Sequence, residues 1–292
     1  MMADFPEREI KNPHETLVKT RFLLPSLTKS EKKVAVFLLE KPDMVLELTL
    51  AQLANATGSS QASVLRFCQK LGLEGFSELK LHLSKELSVK PLSLAGEEVN
   101  LDDSFVGIME KVFQINIQTL KDTLALNAQN CEEALNALLS ASRVVFFGMG
   151  DAIIPCYFAD IKFKRLGINS QVHSDPDLQL TMASLLQPKD VAFAVSHSGR
   201  SRTIVEAMRL AKERKATTIS ITKYEKSPLT KVSDITIFTA TVDTTLGKEI
   251  IARRVAEQAI LESLYLGLLA KKRQQYQENL KITTEAIRFN KI

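Results

Sequence analysis

Cysteine is scarce in this chain, and its distribution excludes two kinds of stabilising site. The 292 residues include three cysteines, Cys68, Cys131 and Cys156, which lie far apart in the sequence. There is no C-x-x-C pair, and no histidine stands near a cysteine at the spacing of a zinc ligand. We therefore expect neither a disulfide framework nor a zinc site, and a reducing, cytoplasmic setting.

Long hydrophobic runs and a strong net charge are also missing. No stretch approaches the roughly 20 apolar residues that a membrane-spanning helix needs, and the opening MMADFPEREI mixes acids and bases. The formal net charge of +4 permits nucleic-acid binding but does not require it. We expect a protein that is neither secreted nor associated with a membrane, and any binding to DNA must depend on a local pattern.

The composition and length predict a globular protein of two domains, with 45% hydrophobic and 25% charged residues. Residues 1–87 predict consecutive short helices, because apolar residues recur at three- and four-residue steps, as at Val34, Phe37 and Leu38. Residues 88–104 lack this periodicity and are interpreted as a linker.

Residues 105–292 predict an α/β domain that ends in a helix. Two helices are expected first, from Phe105 to Leu126 and from Cys131 to Leu139, and a largely apolar helix from Lys248 to about Gln275 comes last. Amphipathic stretches separate the predicted strands, which favours a five-stranded parallel sheet covered on both faces. Those strands are Val144 to Phe147, Asn169 to His173, Val191 to Val195, Thr217 to Ile221 and Ile235 to Thr239.

Residues 49–68 have the layout of a helix-turn-helix. Thr49 is positioned to cap a first helix, with Gln52 completing a capping box. Gly58 suits a tight turn, because glycine adopts a positive φ readily, and Ser59 or Ser60 caps the second helix.

The polar face of the second helix carries the candidate DNA-binding residues. Hydroxyl groups and a glutamine at the start of a helix reach base edges in a major groove, and basic side chains neutralise phosphates. The pattern leaves open an ordinary helical hairpin with a solvated face. The candidates are Ser60, Gln61, Ser63, Arg66 and Lys70.

Several motifs in this half match one known family. They include Ser30-Glu31, Val34-Ala35 and Ser63-Val64, and the most specific is RFCQKLGLEGFSELK, residues 66–80. They resemble the amino-terminal domain of the RpiR family of bacterial transcriptional regulators. The resemblance implies that residues 66–80 contain part of the recognition helix and the turn after it, and that the partner is double-stranded operator DNA.

The first of two candidate ligand loops follows the strand at Val144. Gly148 and Gly150 stand where glycines let the backbone approach a ligand at the end of a parallel strand. A dinucleotide fingerprint would need a third glycine, and Asp151 would repel a pyrophosphate. We therefore expect no nicotinamide cofactor, and no other cofactor.

The second loop, Val195-Ser-His-Ser-Gly-Arg-Ser201, also joins a strand to a helix. Its hydroxyls and backbone amides converge on a helix amino terminus, which favours binding of a phosphate, and Arg200 or Arg202 adds positive charge. A serine-rich cap without a ligand is the alternative. The candidate ligand residues here are Ser196, His197, Ser198, Gly199 and Ser201.

With both loops, residues 105–272 resemble the sugar isomerase (SIS) domain that RpiR regulators carry. The resemblance implies a flavodoxin-like, three-layer α/β fold that binds phosphorylated sugars. It implies that Ser196, Ser198 and Ser201 hold the phosphate, with Gly148 and Gly150 forming the opposite wall of the pocket.

One position departs from this family pattern. The family usually places a phosphate-contacting serine where this chain has Ala152. Asp151 could instead accept hydrogen bonds from sugar hydroxyls or an amine. The identity of the effector therefore stays open between a sugar phosphate, an amino-sugar phosphate and an unphosphorylated sugar.

Other polar residues are weaker candidates for chemistry. His197 and Glu249 could serve as a general base, but loop packing and the helix dipole explain them equally well. His173, Asp175 and Asp177 form a turn rather than a metal site. We expect no catalytic residue and no metal ligand.

These patterns predict a DNA-binding regulator of carbohydrate metabolism, a repressor whose operator affinity is controlled by a sugar phosphate. The alternatives are a sugar-phosphate isomerase or lyase with an appended helical domain, and a protein that docks on a partner protein. Because one helix-turn-helix contacts about half of an operator, we expect a homodimer or homotetramer.

Overall fold

The computed structural model describes residues 15–87, 99–241 and 252–290. The chain divides into two compact units, one helical and one α/β, and each is described by itself below. Most of the predicted linker, residues 88–98, lies outside the described residues. The proposed boundaries at 87 and 104 therefore stay predictions.

Helices alone form the described part of the amino-terminal unit. Their apolar faces meet in a core around Val34, Leu53, Phe67 and Leu79, which have no exposed surface. The three- and four-residue spacing of apolar residues therefore predicted this half correctly. The helices are α1 (Glu15–Leu23), α2 (Lys29–Glu40), α3 (Pro42–Glu47), α4 (Leu50–Ala56), α5 (Gln61–Lys70) and α6 (Phe76–Leu87).

The predicted helix-turn-helix is formed by α4 and α5. Thr49 and Gln52 make the expected capping box, in which the Gln52 backbone N–H donates to Thr49 Oγ1 at 3.3 Å and Thr49 N–H donates to Gln52 Oε1 at 2.8 Å. Gly58 adopts a φ of +57° in the turn. Ser60, rather than Ser59, caps α5.

A single helix, α7 (Phe105–Ser140), replaces the two helices predicted between Phe105 and Leu139. The prediction of a break was wrong because residues 127–130 contain no glycine or proline to end a helix. Asn130, within that stretch, donates from Nδ2 to the backbone carbonyl of Thr236 at 2.6 Å.

The five-stranded parallel sheet is confirmed, with the strand order β2-β1-β3-β4-β5. Every pair of neighbours is parallel. The order reverses between β1 and β3, which is where open sheets of this topology bind ligands. The strands are β1 (Arg143–Gly148), β2 (Ser170–Val172), β3 (Asp190–Val195), β4 (Thr217–Lys223) and β5 (Ile235–Thr239).

Helices cover both faces of the sheet, as the resemblance to the SIS domain implied. The face that carries Phe146 packs against the end of α7 and against α8 (Ile153–Arg165) and α12 (Arg253–Lys271). The face that carries Phe147 packs against α9 (Pro176–Ser184), α10 (Arg202–Glu213) and α11 (Pro228–Val232). The result is a three-layer α/β/α architecture.

The carboxy-terminal helix differs from its prediction. Two helices, α12 and α13 (Arg273–Arg288), replace one helix ending near Gln275, and they meet at Lys272, which has a non-helical ψ of 47°. Residues 242–251 lie outside the described residues. Most large apolar residues of α12 are buried in their own domain, including Ile260, Leu261 and Leu264. Within the described ranges, no helix is long and apolar enough to cross a membrane.

Candidate functional sites

The exposed side of α5 carries three of the five predicted DNA-binding side chains. Gln61, Arg66 and Lys70 are exposed, while Val64 and Phe67 anchor the opposite side of the helix in the core. No acidic residue lies between 59 and 73. The helix therefore presents a polar surface that can approach an anionic partner.

The first turn of α5 is held by a chain of hydroxyl contacts. Ser60 is exposed, and its Oγ accepts from the Ser63 backbone N–H at 3.2 Å and lies 2.9 Å from Ser63 Oγ. Arg66 Nη2 in turn donates to Ser63 Oγ at 3.1 Å. Only 4% of Ser63 is exposed. Ser63 therefore orients its neighbours, and it differs from the prediction that its side chain lies on the exposed polar face.

Lys70 takes part in the packing of the helical unit. Its Nζ lies 2.6 Å from Oε2 of Glu31, a residue of α2 that is only 2% exposed. Burial would raise the pKa of Glu31, but Lys70 and the hydrogen bonds from Thr28 outweigh it and hold that pKa below its ordinary value. Lys70 therefore ties α5 to α2, and its predicted contact with a DNA phosphate would compete with this ion pair.

Lys33, an exposed residue of α2, is a neighbour that the sequence pattern did not identify. Its Nζ lies 3.5 Å from the position that a Cβ atom on Gly58 would occupy. Ser59 Oγ also donates to the backbone carbonyl of Ser30 at 3.0 Å. Because the hydrogen bond between Ser59 and Ser30 holds α2 beside the turn, Lys33 adds positive charge next to the turn that precedes α5.

In the α/β unit, the two predicted ligand loops leave neighbouring strands at the same edge of the sheet. Gly148, the last residue of β1, is paired in register with Val195, the last residue of β3. The segments 149–152 and 196–201 therefore start side by side. They do so where the strand order reverses, which places the candidate residues of both loops in one region.

Glycine is required at Gly148 because the chain turns back tightly. A Cβ atom there would lie 2.6 Å from the carbonyl oxygen of Ala152 and 3.0 Å from Cys156 Sγ. Gly150 has a φ of +59° in the same turn. The backbone geometry of this loop thus depends on both predicted glycines.

Asp151 is bound by two arginines that the sequence analysis did not identify. Arg253 Nη2 donates to Asp151 Oδ2, and Arg254 Nη2 lies 2.9 Å from Oδ1. Burial would raise the pKa of Asp151, but Arg254 and Arg253 hold it below its ordinary value. The carboxylate is therefore engaged, and accepting from a sugar hydroxyl would require it to share these partners.

Glu257, a partner of Arg254, is a further residue that the sequence analysis did not identify. It is 1% exposed and is paired with Arg254 Nη1. Burial raises the pKa of Glu257 to about 7, although Arg254 opposes the shift. Glu257 and Arg254 lie more than 100 residues after the first loop in the sequence, so no local pattern could link them to it.

The serine loop is fixed mainly through its backbone. The carbonyl of His197 accepts from Lys223 N–H at 3.0 Å and from Thr222 Oγ1 at 3.1 Å. Ser196 N–H donates to the carbonyl of Ile221 at 3.0 Å, and Gly199, with a φ of +61°, accepts at its carbonyl from Leu229 N–H at 3.1 Å.

The hydroxyls of this loop differ in their surroundings. Ser196 and His197 are buried, whereas Ser198 is exposed and its Oγ accepts from Arg200 N–H at 3.3 Å. Ser201 is the N-cap residue that directly precedes α10. Among the described residues, Ser201 makes no side-chain hydrogen bond that caps α10. A helix amino terminus and the exposed hydroxyl of Ser198 thus lie at the same edge of the sheet, an arrangement suited to an anion.

Comparison with known proteins identifies both units. The helix-turn-helix domain of the rpiR family matches residues 15–90, and the SIS domain matches residues 137–267. An HTH-type transcriptional regulator of Caldanaerobacter subterraneus subsp. tengcongensis is 37% identical over 279 residues, which cover 95% of this chain and 99% of the relative. This chain belongs to the RpiR family of transcriptional regulators.

Two further relatives of this RpiR-family chain are informative. The regulator HexR of Escherichia coli is 29% identical over 94% of this chain and 96% of its own length. The structure of Vibrio vulnificus NanR complexed with ManNAc-6P covers 93% of this chain and 97% of that chain, with 25% identity and a TM-score of 0.58. The RpiR-family chain is therefore a DNA-binding transcriptional regulator with a sugar-binding SIS domain, rather than an enzyme.

The weaker candidates for chemistry in this RpiR regulator have structural explanations. Asp175 caps α9, because its Oδ1 accepts from Leu178 N–H at 2.8 Å. Cys156 is fully buried, and burial raises the pKa of its thiol. In the described ranges, no group of three or more His, Cys, Asp or Glu residues could hold a metal ion. Glu249 lies outside the described residues.

Proposed function

We propose that this RpiR regulator is a repressor of carbohydrate metabolism whose affinity for its operator is controlled by a sugar phosphate. The serine loop at residues 196–201 carries this proposal, because its hydroxyls and a helix amino terminus meet where the strand order reverses. NanR of Vibrio vulnificus, a structural neighbour, was solved with ManNAc-6P bound. The regulator would act in the cytoplasm.

On the DNA side, the contacts divide between the start and the exposed flank of α5. Gln61, with Ser60 beside it, would reach base edges, since both lie at the first turn and are exposed. Arg66 and Lys33 would contact phosphates. Ser63 would support Ser60 and Arg66 from below, and Lys70 would add a phosphate contact only by sharing its ion pair with Glu31.

On the effector side, Ser196, Ser198 and Ser201 would hold the phosphate, with His197 and Gly199 shaping the loop. Gly148 and Gly150 would form the opposite wall of the pocket. Asp151 would be a secondary contact, because it already binds Arg253 and Arg254. The phosphate would receive no hydroxyl from Ala152.

A second copy of the chain would supply the second DNA-reading helix. One helix-turn-helix covers about half of an operator, so a homodimer, or a homotetramer built from dimers, would place paired α5 helices about one DNA turn or a multiple apart. Exposed apolar side chains are available for this contact, including Phe105 and Phe113 on α7 and Leu266 on α12.

Fluorescence anisotropy on the DNA upstream of the gene tests this proposal directly. We expect saturable binding that weakens with salt and that changes at least tenfold with one sugar phosphate among hexose, pentose and amino-sugar phosphates. A tenfold change requires about 1.4 kcal/mol of differential effector binding to the two states of the protein. No binding at low salt by the folded protein would overturn the proposal.

The variant Ser198→Ala separates the two halves of the proposal. It should bind DNA like the wild type, because Ser198 lies in the other unit, and it should lose most of its response to the effector. Ser184→Ala, the same exchange on α9, is the matched control and should respond fully. A full response from Ser198→Ala would mean that the phosphate binds elsewhere.

A further inference from the structure

Gln179, in the middle of α9, lies against the first ligand loop. It is 1% exposed, and its Nε2 donates to the backbone carbonyl of Gly148 at 3.0 Å and lies 3.5 Å from Met149 Sδ. A carbonyl oxygen only accepts hydrogen bonds, so the amide must direct its nitrogen towards Gly148. The Nε2 end of the amide therefore holds the loop, and Oε1 is the other end.

The other end of the same amide is buried without a donor. Among the residues that the structure describes, none donates to Gln179 Oε1, although this oxygen has no contact with solvent. Buried polar atoms in proteins are nearly always hydrogen-bonded, so an orphaned acceptor beside a ligand loop indicates a missing donor.

The contact of Gln179 with the glycine turn favours a ligand as that donor. Gly148 pairs with Val195, and the serine loop begins at the next residue. Asp151, the nearest carboxylate of the first loop, is engaged by Arg253 and Arg254. Within the described ranges, Gln179 therefore offers a side-chain acceptor next to the glycine turn whose hydrogen-bonding capacity is unused.

We infer that Gln179 recognises the sugar part of the effector: as the phosphate binds the serine loop, the amide shifts so that Oε1, which solvent does not reach in this structure, accepts a hydrogen bond from a sugar hydroxyl. This inference rests on the proposed function, because it assumes a sugar phosphate in the pocket. It assigns the two ends of one amide to two tasks: Nε2 holds the glycine turn, and Oε1 selects ligands that carry a hydroxyl at the right distance from the phosphate.

The test uses the full-length chain and isothermal titration calorimetry. The probes are N-acetylmannosamine 6-phosphate, glucose 6-phosphate, glucosamine 6-phosphate and ribose 5-phosphate, with inorganic phosphate as a ligand that has no sugar. The variant Gln179→Met keeps the length of the side chain and removes the amide. Gln187→Met, the same exchange at an exposed residue, is the matched control.

We expect Gln179→Met to bind the preferred sugar phosphate about tenfold more weakly and to bind inorganic phosphate like the wild type. Gln187→Met should bind both ligands normally. Equal affinity of Gln179→Met and the wild type for the sugar phosphate would overturn the inference while leaving the proposed function intact. If the wild type binds no sugar phosphate of the panel, the proposed function fails and the inference fails with it.

A ligand-side comparison distinguishes direct contact from support of the loop. Monodeoxy analogues of the preferred sugar phosphate remove one hydroxyl at a time. If Gln179 accepts from one of them, its removal should cost the wild type about tenfold in affinity and cost Gln179→Met nothing further, which is a coupling between protein and ligand. Equal losses in both proteins at every position would assign Gln179 a purely structural role.

An NMR measurement on the wild type keeps the inference testable if Gln179→Met does not fold. The side-chain carbonyl carbon of Gln179 should shift when the sugar phosphate binds, because its oxygen gains a hydrogen bond, and should stay in place with inorganic phosphate. An unmoved resonance in the saturated sugar-phosphate complex would overturn the inference.

Discussion

The candidate DNA-binding helix and the candidate serine loop are both polar, but side-chain contacts hold the first in place and backbone hydrogen bonds hold the second. On α5, side chains hold side chains, as in the contacts of Ser63 with Ser60 and Arg66. In the serine loop, the backbone of His197 and Gly199 is hydrogen-bonded to neighbouring segments. Some candidates on α5 therefore stabilise the fold through their side chains, whereas the serine loop is held by its backbone and leaves the hydroxyl of Ser198 exposed.

This difference predicts how each region fails when it is mutated. Substitutions in the effector loops should act through backbone geometry, so a small change at a glycine has a large effect. Substitutions on α5 should divide between residues that stabilise the fold and residues that bind DNA. Substitutions at Gly148, Lys70, Arg66 and Asp151 test that division.

Gly148→Ala should cause the largest loss of stability, about 3 kcal/mol, because overpacking of this size distorts the backbone. The new Cβ atom would lie 2.6 Å from the carbonyl oxygen of Ala152. We expect a lower unfolding temperature for the α/β unit and no response to the effector, measured by calorimetry and anisotropy. Gly107→Ala, within α7, would meet Ser104 Oγ at 3.4 Å. It is the control and should unfold at or slightly above the wild-type temperature, because alanine favours a helix more than glycine does.

Lys70→Met should destabilise the helical unit by about 2 kcal/mol at neutral pH, because it leaves the carboxylate of Glu31 buried without its cation. This loss of stability is smaller than the usual cost of breaking a buried ion pair, because Lys70 is 39% exposed and Thr28 still donates to Glu31. Chemical denaturation measures the loss. An unchanged free energy of unfolding would show that the ion pair with Glu31 does not stabilise the fold, so that Lys70 could bind DNA without a loss of stability.

The stability difference between the wild type and Lys70→Met should also depend on pH. The folded state lowers the pKa of Glu31 from 4.5, so the ion pair contributes fully above that value and its contribution is lost as pH falls through the lowered pKa. The difference in stability between the wild type and Lys70→Met should therefore shrink in acid. A difference that stays constant down to pH 2 would contradict this assignment.

Arg66→Ala should change DNA affinity while leaving the fold almost unaffected. Its guanidinium is exposed and contacts Ser63, so we expect a change in stability within about 0.5 kcal/mol. Operator affinity should fall about tenfold and the salt dependence should lose roughly one ion equivalent. Arg288→Ala, at a side chain that is 77% exposed on α13, should bind DNA like the wild type.

Local patterns predicted the elements of this molecule well. Apolar spacing located the helices, short apolar runs located five strands, and the capping box at Thr49 and the turn at Gly58 are as predicted. The single helix α7 was missed, because helical periodicity does not reveal whether a stretch such as 127–130 interrupts a helix.

Pairings between distant residues could not be predicted in this way. Lys70 and Glu31 are 39 residues apart, and Asp151 and Arg253 are 102 residues apart. Each of these side chains has an ordinary surface explanation in its own segment, and only the packing of separate helices brings the partners together. The glycine turns of the loops were therefore visible in the sequence, whereas the distant residues that pair with the candidate side chains were not.

The smallest expected effect on binding, and a sharp test of this last point, is that of Asp151→Asn. Asp151 is half exposed, so losing its ion pairs with Arg253 and Arg254 should cost less than about 1 kcal/mol. The pKa of Glu257, about 7 and raised in part by Asp151, should fall, which NMR titration of the carboxyl carbon measures.

Sugar-phosphate affinity of Asp151→Asn should rise about threefold, because a negative charge near the phosphate is removed and the arginines are released. A tenfold loss of affinity would mean instead that the carboxylate accepts hydrogen bonds from the sugar, and that the two arginines orient Asp151 for the effector.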